Sequence, residues 1–329
     1  MKKTFLFIMS AMILCLFVSC GKKNTPEIPS TKIVVPEGAV KGLFSVAYDK
    51  QVYFSQGNLQ FNATRGGHVR ADGTSASGTW RFALNQYDAI GEANQFISST
   101  YDGWIDLFGW GTSGYKNTAI DPHAIYYHPW SVNYENELFD DNDFGYGPSD
   151  IDLVPQNIVG QHAFYDWGVY NPISNGGELT QQWRTLTASE WRILFNVRNN
   201  AQKLRGQAII SSAVKNIYGY VLLPDNWVLP QGLHFTPCPD NWSSNIYSVS
   251  EWTTMEDNGA VFLPCTGFRH VKEVKNAELG GGYWASSQGL MGIGGISFYE
   301  SNAVAFQGYS DGSYAAADGH AVRLVQDVK

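Results

Sequence analysis

The chain is short of positive charge. It carries 22 Lys and Arg against 30 Asp and Glu over 329 residues, a formal charge of −8, and nowhere gathers its basic residues into a cluster. That balance argues against nucleic acid and anionic membrane surfaces as partners, since both are gripped by concentrated Lys and Arg. Long apolar runs are missing after the first nineteen residues, so no later segment can span a bilayer as a helix. Catalytic signatures are missing too. "GTSG" (111–114) and "YWASSQG" (283–289) fail the G-x-S-x-G spacing of a serine nucleophile elbow. "GLMGIGG" (289–295) lacks the G-x-G-x-x-G order of a dinucleotide site, and there is no Walker A sequence. His123 and His128 stand five apart in "DPHAIYYHPW", which is neither a helical zinc pair nor a finger spacing. "FDDNDFG" (139–145) is acidic but lacks the register of an EF-hand loop and reads as a solvated turn. No catalytic residue, metal or cofactor is expected.

What is present begins with an export signal. Lys2 and Lys3 precede an apolar run, Phe5 to Val18, broken only by Ser10. The stretch Leu16-Phe17-Val18-Ser19-Cys20-Gly21 resembles a bacterial lipoprotein box, which implies a lipid on Cys20 as the mature N-terminus. Residues 1–19 then leave, and the charge becomes −10 because Lys2 and Lys3 go with them. Residues 20–38 hold three prolines and mixed charge and read as an extended tether. The expected location is the outer membrane, lipid-anchored, with its face left open. Of four cysteines, Cys15 leaves with the signal and Cys20 takes lipid. The mature chain therefore has at most one disulfide, Cys238 with Cys265; two buried thiols are the other reading.

From residue 39 to 329 no second linker divides the chain, so one domain is expected. Strand signals dominate. "KQVYFSQGNLQFN" (50–62) reads as a hairpin about Gln56-Gly57-Asn58, and "TWRFA", "WIDLFGWG" (104–111), "GYVLLP", "GAVFLP", "GISFYESNAVAF" and "HAVRLV" read as further short strands. Two helices are expected, over 188–199 and 249–258. Thr187 with Glu190, and Ser248 with Glu251, have capping-box spacing, and Gly259 supplies a C-terminal stop. Short strands with two short helices and long loops make an α+β domain.

The order of segments such as "GLFSVAYDKQVYFSQGNLQF", "DGWIDLFGWGTSG", "WRTLTASEWRILFNVR", "NGAVFLPCTGFR" and "GGYWASS…AVRLV" resembles the Fibrobacter succinogenes major paralogous domain family, common in Bacteroidetes lipoproteins. That resemblance spans about residues 40–326. It implies a C-type-lectin-like fold, related to formylglycine-generating enzymes and to the variable proteins of diversity-generating retroelements. It also implies that "AVRLV" returns beside the N-terminal strands. Formylglycine-generating enzymes place a catalytic cysteine where this chain has Ser286. A hydroxyl ionises far less readily than a thiol and binds copper poorly, so "LGGGYWASS" (279–287) reads as scaffold.

Residues 288–318, rich in Gly, Ser, Ala, Tyr and Asp, occupy the place of the diversified segment in the variable proteins. A binding face is therefore expected at Leu290, Met291, Tyr309, Asp311, Ser313, Tyr314 and Asp318. Tyr offers large contact area at low entropic cost, and an exposed Leu-Met pair would be an apolar patch. The expected partner is a protein or a glycan. The alternatives are a structural or adhesion component without a small ligand and a degenerate enzyme of the formylglycine-generating type.

Overall fold

Alternation of apolar and polar residues sets the first strand, β1 (Phe44–Ala47), followed by β2 (Lys50–Phe54), the long β3 (Leu59–Val69) and β4 (Ser75–Phe82). After one turn of helix, α1 (Trp167–Tyr170), come β5 (Arg184–Thr185), α2 (Ala188–Arg192), β6 (Arg205–Ser211) and β7 (Asn216–Leu222). Then follow β8 (Ile246–Ser248), α3 (Val249–Asp257), β9 (Val261–Pro264), β10 (Phe268–His270) and β11 (Glu273–Lys275). The last elements are β12 (Gly280–Gln288), β13 (Ile293–Tyr299) and β14 (Leu324–Asp327). This computed structural model describes residues 34–117, 119, 127–130, 157–237, 242–270, 273–288, 293–299 and 318–329. Val35–Lys329 form one unit. The architecture is α+β, made of small sheets and a few short helices.

Among the described residues, two four-stranded sheets, in orders β1-β2-β14-β5 and β8-β6-β7-β9, stand with three hairpins, β3-β4, β10-β11 and β12-β13. The hairpin expected over 50–62 does not form. β2 pairs with β1 and with β14, while β3 pairs with β4. The C-terminal chain takes the backbone groups a local hairpin would have used. Ser55 N–H donates to the Leu324 carbonyl at 2.9 Å and Leu59 N–H to the Val322 carbonyl at 2.9 Å. "AVRLV" thus lies against the N-terminal strands, with Val325 opposite Phe54.

The expected strand at 104–111 also does not form. Ile105 and Phe108 make single bridges to Phe61 and His320, while Ile105, Leu107, Phe108 and Trp110 are buried. Apolar content marks burial there, and the backbone is satisfied without a ladder.

Both capping boxes are made. The Thr187 hydroxyl accepts from the Glu190 N–H and the Glu190 carboxylate from the Thr187 N–H; Ser248 and Glu251 repeat the exchange. α3 closes in a Schellman motif: Gly259 (φ +98°) donates to the Glu256 carbonyl and Ala260 to Met255. α2 does not run to 199. It widens into a π turn over Ile193–Val197, with the Arg198 N–H bonding back to Ile193 at 2.8 Å. There the buried Arg198 guanidinium reaches the carbonyls of Leu194 and Leu223 and the Asp225 carboxylate. Thr187→Ala should cost about 1 kcal/mol, the usual value of an N-cap, measurable by chemical denaturation. No loss would show that the box is not holding α2.

Among the described residues, three apolar clusters fill the interior. One joins β1, β2, α2 and β14 to β7, β9 and β12. A second is rich in tryptophan, with Trp80, Trp110, Trp167, Trp183 and Trp284. The third lies between α3 and the β6-β7 pair. Among the described residues no helix is long and apolar enough to cross a membrane.

Candidate binding face

The stretch Leu279–Ser287 lies largely in β12, and its residues are bound into the frame. A Cβ on Gly282 would sit 2.2 Å from His320 Nδ1, and one on Gly281 would meet the Phe298 ring at 2.8 Å. Glycine is required by close packing. The Tyr283 hydroxyl donates to the Pro264 carbonyl at 3.0 Å and accepts from the Asn58 amide at 3.1 Å. Trp284 is fully buried and its indole N–H donates to the Phe108 carbonyl at 2.6 Å. The buried Ser286 hydroxyl donates to the Thr185 carbonyl at 3.1 Å. Ser287 Oγ accepts from the Ala188 N–H, the first residue of α2, at 3.0 Å. Among the described residues no histidine or carboxylate hydrogen-bonds to the Ser286 hydroxyl, whose place in the structure is between β12 and β5.

Behind β12 lies a buried polar layer. His320 stacks on Phe268 and meets Trp284 edge-on. Burial first, and the Arg269 charge second, push its pKa down to about 3. Arg269 donates to the Leu107 carbonyl at 2.9 Å. Asp106 accepts from the Ile90 N–H and the Asn94 amide, yet burial still pushes its pKa up to about 6. Arg323 donates to Gln86 at 2.7 Å and Asn58 at 3.3 Å, and burial lowers its pKa to about 10. A composition-based reading treats Arg as surface. The signal available was only local, since Arg323 sits inside an otherwise apolar strand pattern.

The described residues that flank 300–317 are paired into the frame. Tyr299 is opposite Gly280 in the β12-β13 ladder. On return, Gly319 exchanges both backbone hydrogen bonds with Arg269, at 2.8 and 2.7 Å, and Asp318 Oδ1 lies 2.8 Å from His270 Nδ1. Of the residues expected on the binding face, Asp318 is thus an anchor on β10. Leu290, Met291, Tyr309, Asp311, Ser313 and Tyr314 lie outside the described residues, as do Cys20, Cys238, His123 and 139–145. Cys265 is buried in the largest apolar cluster. His128 stacks on Trp130 at 4.5 Å, with its pKa pushed down to about 4 by burial and then by Arg70 and Lys116.

Among the described residues, clefts also open elsewhere. One of about 430 Å³ runs along β3-β4 past His68, Trp80 and Glu178. Another, about 400 Å³, lies between the β6-β7 turn and residues 84–90. Sequence reading marked neither, because each is walled by segments far apart in the chain. Among the described residues no group of three His, Cys, Asp or Glu side chains is placed to hold a metal ion. No protein-family model, curated protein or solved structure matches this chain.

Proposed function

We propose that this chain is a non-catalytic envelope lipoprotein of the major paralogous domain type, with a C-type-lectin-like fold, that presents residues 288–318 to a protein or glycan. One observation carries the reading: the reactive-looking stretch spends its hydroxyls on the frame, while both ends of 300–317 are tied to that frame. Ser286 and Ser287 bridge β12 to β5 and α2. Tyr299 and Gly319 are pinned in backbone pairs. A rigid base with a Tyr-, Gly- and Ser-rich insertion suits contact by adaptable side chains. The return of β14 beside β2 is what the lectin-like topology asks for. The lipid on Cys20, the outer-membrane location and the absence of catalysis belong to the same proposal.

Mass spectrometry of the mature N-terminus should find acyl chains on Cys20, and Cys20→Ser should move the protein out of the membrane fraction, since lipid chains supply the anchor. An unmodified start elsewhere would refute the anchor. For binding, arrayed glycans and outer-membrane extracts should be probed with the wild-type protein. Selective capture from either supports the reading, and capture of nothing from both would count against it.

A further inference from the structure

We propose that the cleft between the β6-β7 turn and residues 84–90 binds a carboxylate-bearing sugar, with Arg81 gripping the carboxylate. Among the described residues none that lines the cleft belongs to 288–318, and the proposal stands or falls without that segment. Arg81 projects from β4 with its Nε donating to the Gln60 side chain at 2.9 Å, and its guanidinium lies 3.6 Å from the Trp104 ring centroid. The group is therefore fixed in direction on both sides. Among the described residues no hydrogen bond reaches its two terminal nitrogens, whereas Arg184 forks Glu190 and Asp327 and Arg198 holds Asp225. A second arginine, Arg65, approaches the same indole at 5.8 Å. Burial and then this like charge lower the Arg81 pKa, with Asp88 acting weakly the other way. A held guanidinium with an open fork is built for bidentate capture of a planar carboxylate.

The rest of the cleft selects the class of ligand. Its volume of about 400 Å³ lies within the roughly 300–1,000 Å³ common for small-molecule sites. Tyr87 and Tyr218 line it, and Tyr218 is braced edge-on by Trp242 at 5.7 Å. Aromatic faces suit the C–H faces of a pyranose. Asp88, Asn216 and Glu278 stand at the walls as acceptors and donors for hydroxyls, and Lys215 is ion-paired to Glu278. The Asp88 carboxylate on the wall repels a compact dianion such as phosphate more than a singly charged carboxylate. The polar walls do not suit a fatty acid, and a neutral sugar offers the Arg81 fork no planar bidentate acceptor.

The test uses the full-length protein in detergent, titrated calorimetrically with glucuronate, galacturonate, glucose and inorganic phosphate. One of the uronates should bind saturably in the millimolar range or tighter, with no saturable signal from glucose or phosphate. Arg81→Met should weaken uronate binding by about tenfold or more, the value of a charge-assisted bidentate contact. Arg81→Lys, which keeps the charge and loses the fork, should weaken it by a smaller factor. Should Arg81→Met fail to fold, Arg81→Lys and Tyr218→Leu decide, each expected to weaken binding. No saturable uronate binding, equal binding of glucose or phosphate, or unchanged affinity in the folded Arg81 variants overturns the proposal. Tyr309→Ala/Asp311→Ala/Tyr314→Ala should bind the uronate as wild type does. Loss of binding in that variant would place the site at residues 309–314 instead.

Discussion

Trp284→Ala is expected to be the most damaging single change in the "LGGGYWASS" stretch, at about 3–5 kcal/mol. The indole is fully buried, packs edge-on against Trp110 at 5.5 Å and against His320 at 4.7 Å, and donates to Phe108. Truncation leaves a cavity in a close-packed tryptophan cluster and strips the Phe108 carbonyl of this bond. For a unit of this size the melting temperature should fall by about 6–10 °C, read by circular dichroism. Ser286→Ala, two residues on, removes one hydrogen bond and should cost about 1 kcal/mol. A loss at Trp284 no larger than at Ser286 would mean that the indole is not the keystone of this cluster.

Asp166 should give the second large effect. Its carboxylate accepts from the Thr185 N–H at 2.7 Å and the Gly168 N–H at 3.2 Å, tying β5 to the start of α1. Asp166→Ala orphans both buried donors and should cost about 2–4 kcal/mol. The same carboxyl makes a pH prediction. Burial outweighs its hydrogen bonds and pushes its pKa up to about 6, from 3.8. A folded-state pKa above the unfolded one means that the fold binds the proton more tightly. Its contribution is therefore fully present below about 3.8 and is lost as pH rises through about 6, with an amplitude of roughly 1–4 kcal/mol. Glu190 and Asp327, lowered by Arg184 against their own burial, act in the opposite sense, losing stability as pH falls. The difference between wild type and Asp166→Asn isolates the one group. The Asn variant should gain on wild type as pH rises from 4 to 7; a pH-independent difference would refute the raised pKa.

Legibility in the sequence followed the range of the interaction. Thr187 and Glu190, or Ser248 and Glu251, are three residues apart, and both capping boxes form as their spacing predicts. The Gln56-Gly57-Asn58 turn was equally local in appearance. The C-terminal chain, more than 260 residues on, took the N–H groups of the flanking Ser55 and Leu59 instead, and Arg323 and Tyr283 took the Asn58 side chain. Nothing in the alternation of 50–62 could announce that. The glycines of β12 were legible as close approach, but that His320 is what approaches Gly282 is a fact of tertiary packing. The same holds for Asp318. Its segment's composition suggested a ligand contact; the pairing with His270, 48 residues earlier, is one that no local pattern could announce. Arg81 was ordinary in sequence; its open fork is created by Gln60 and Trp104 from other segments.

The most direct measurement is quantitative capture of one ligand, found on glycan arrays or in outer-membrane extracts, by three versions of the full chain side by side. These are wild type, Ser286→Ala/Ser287→Ala, and Tyr309→Ala/Asp311→Ala/Tyr314→Ala, each with its melting temperature recorded. A non-catalytic display domain predicts wild-type capture by the serine pair and at least about tenfold weaker capture by the loop triple, as loss of binding hot spots gives. The triple variant should melt as wild type does if these residues serve display, because surface changes typically cost within about 0.5 kcal/mol. Capture lost in the folded serine variant and kept in the loop triple would contradict it.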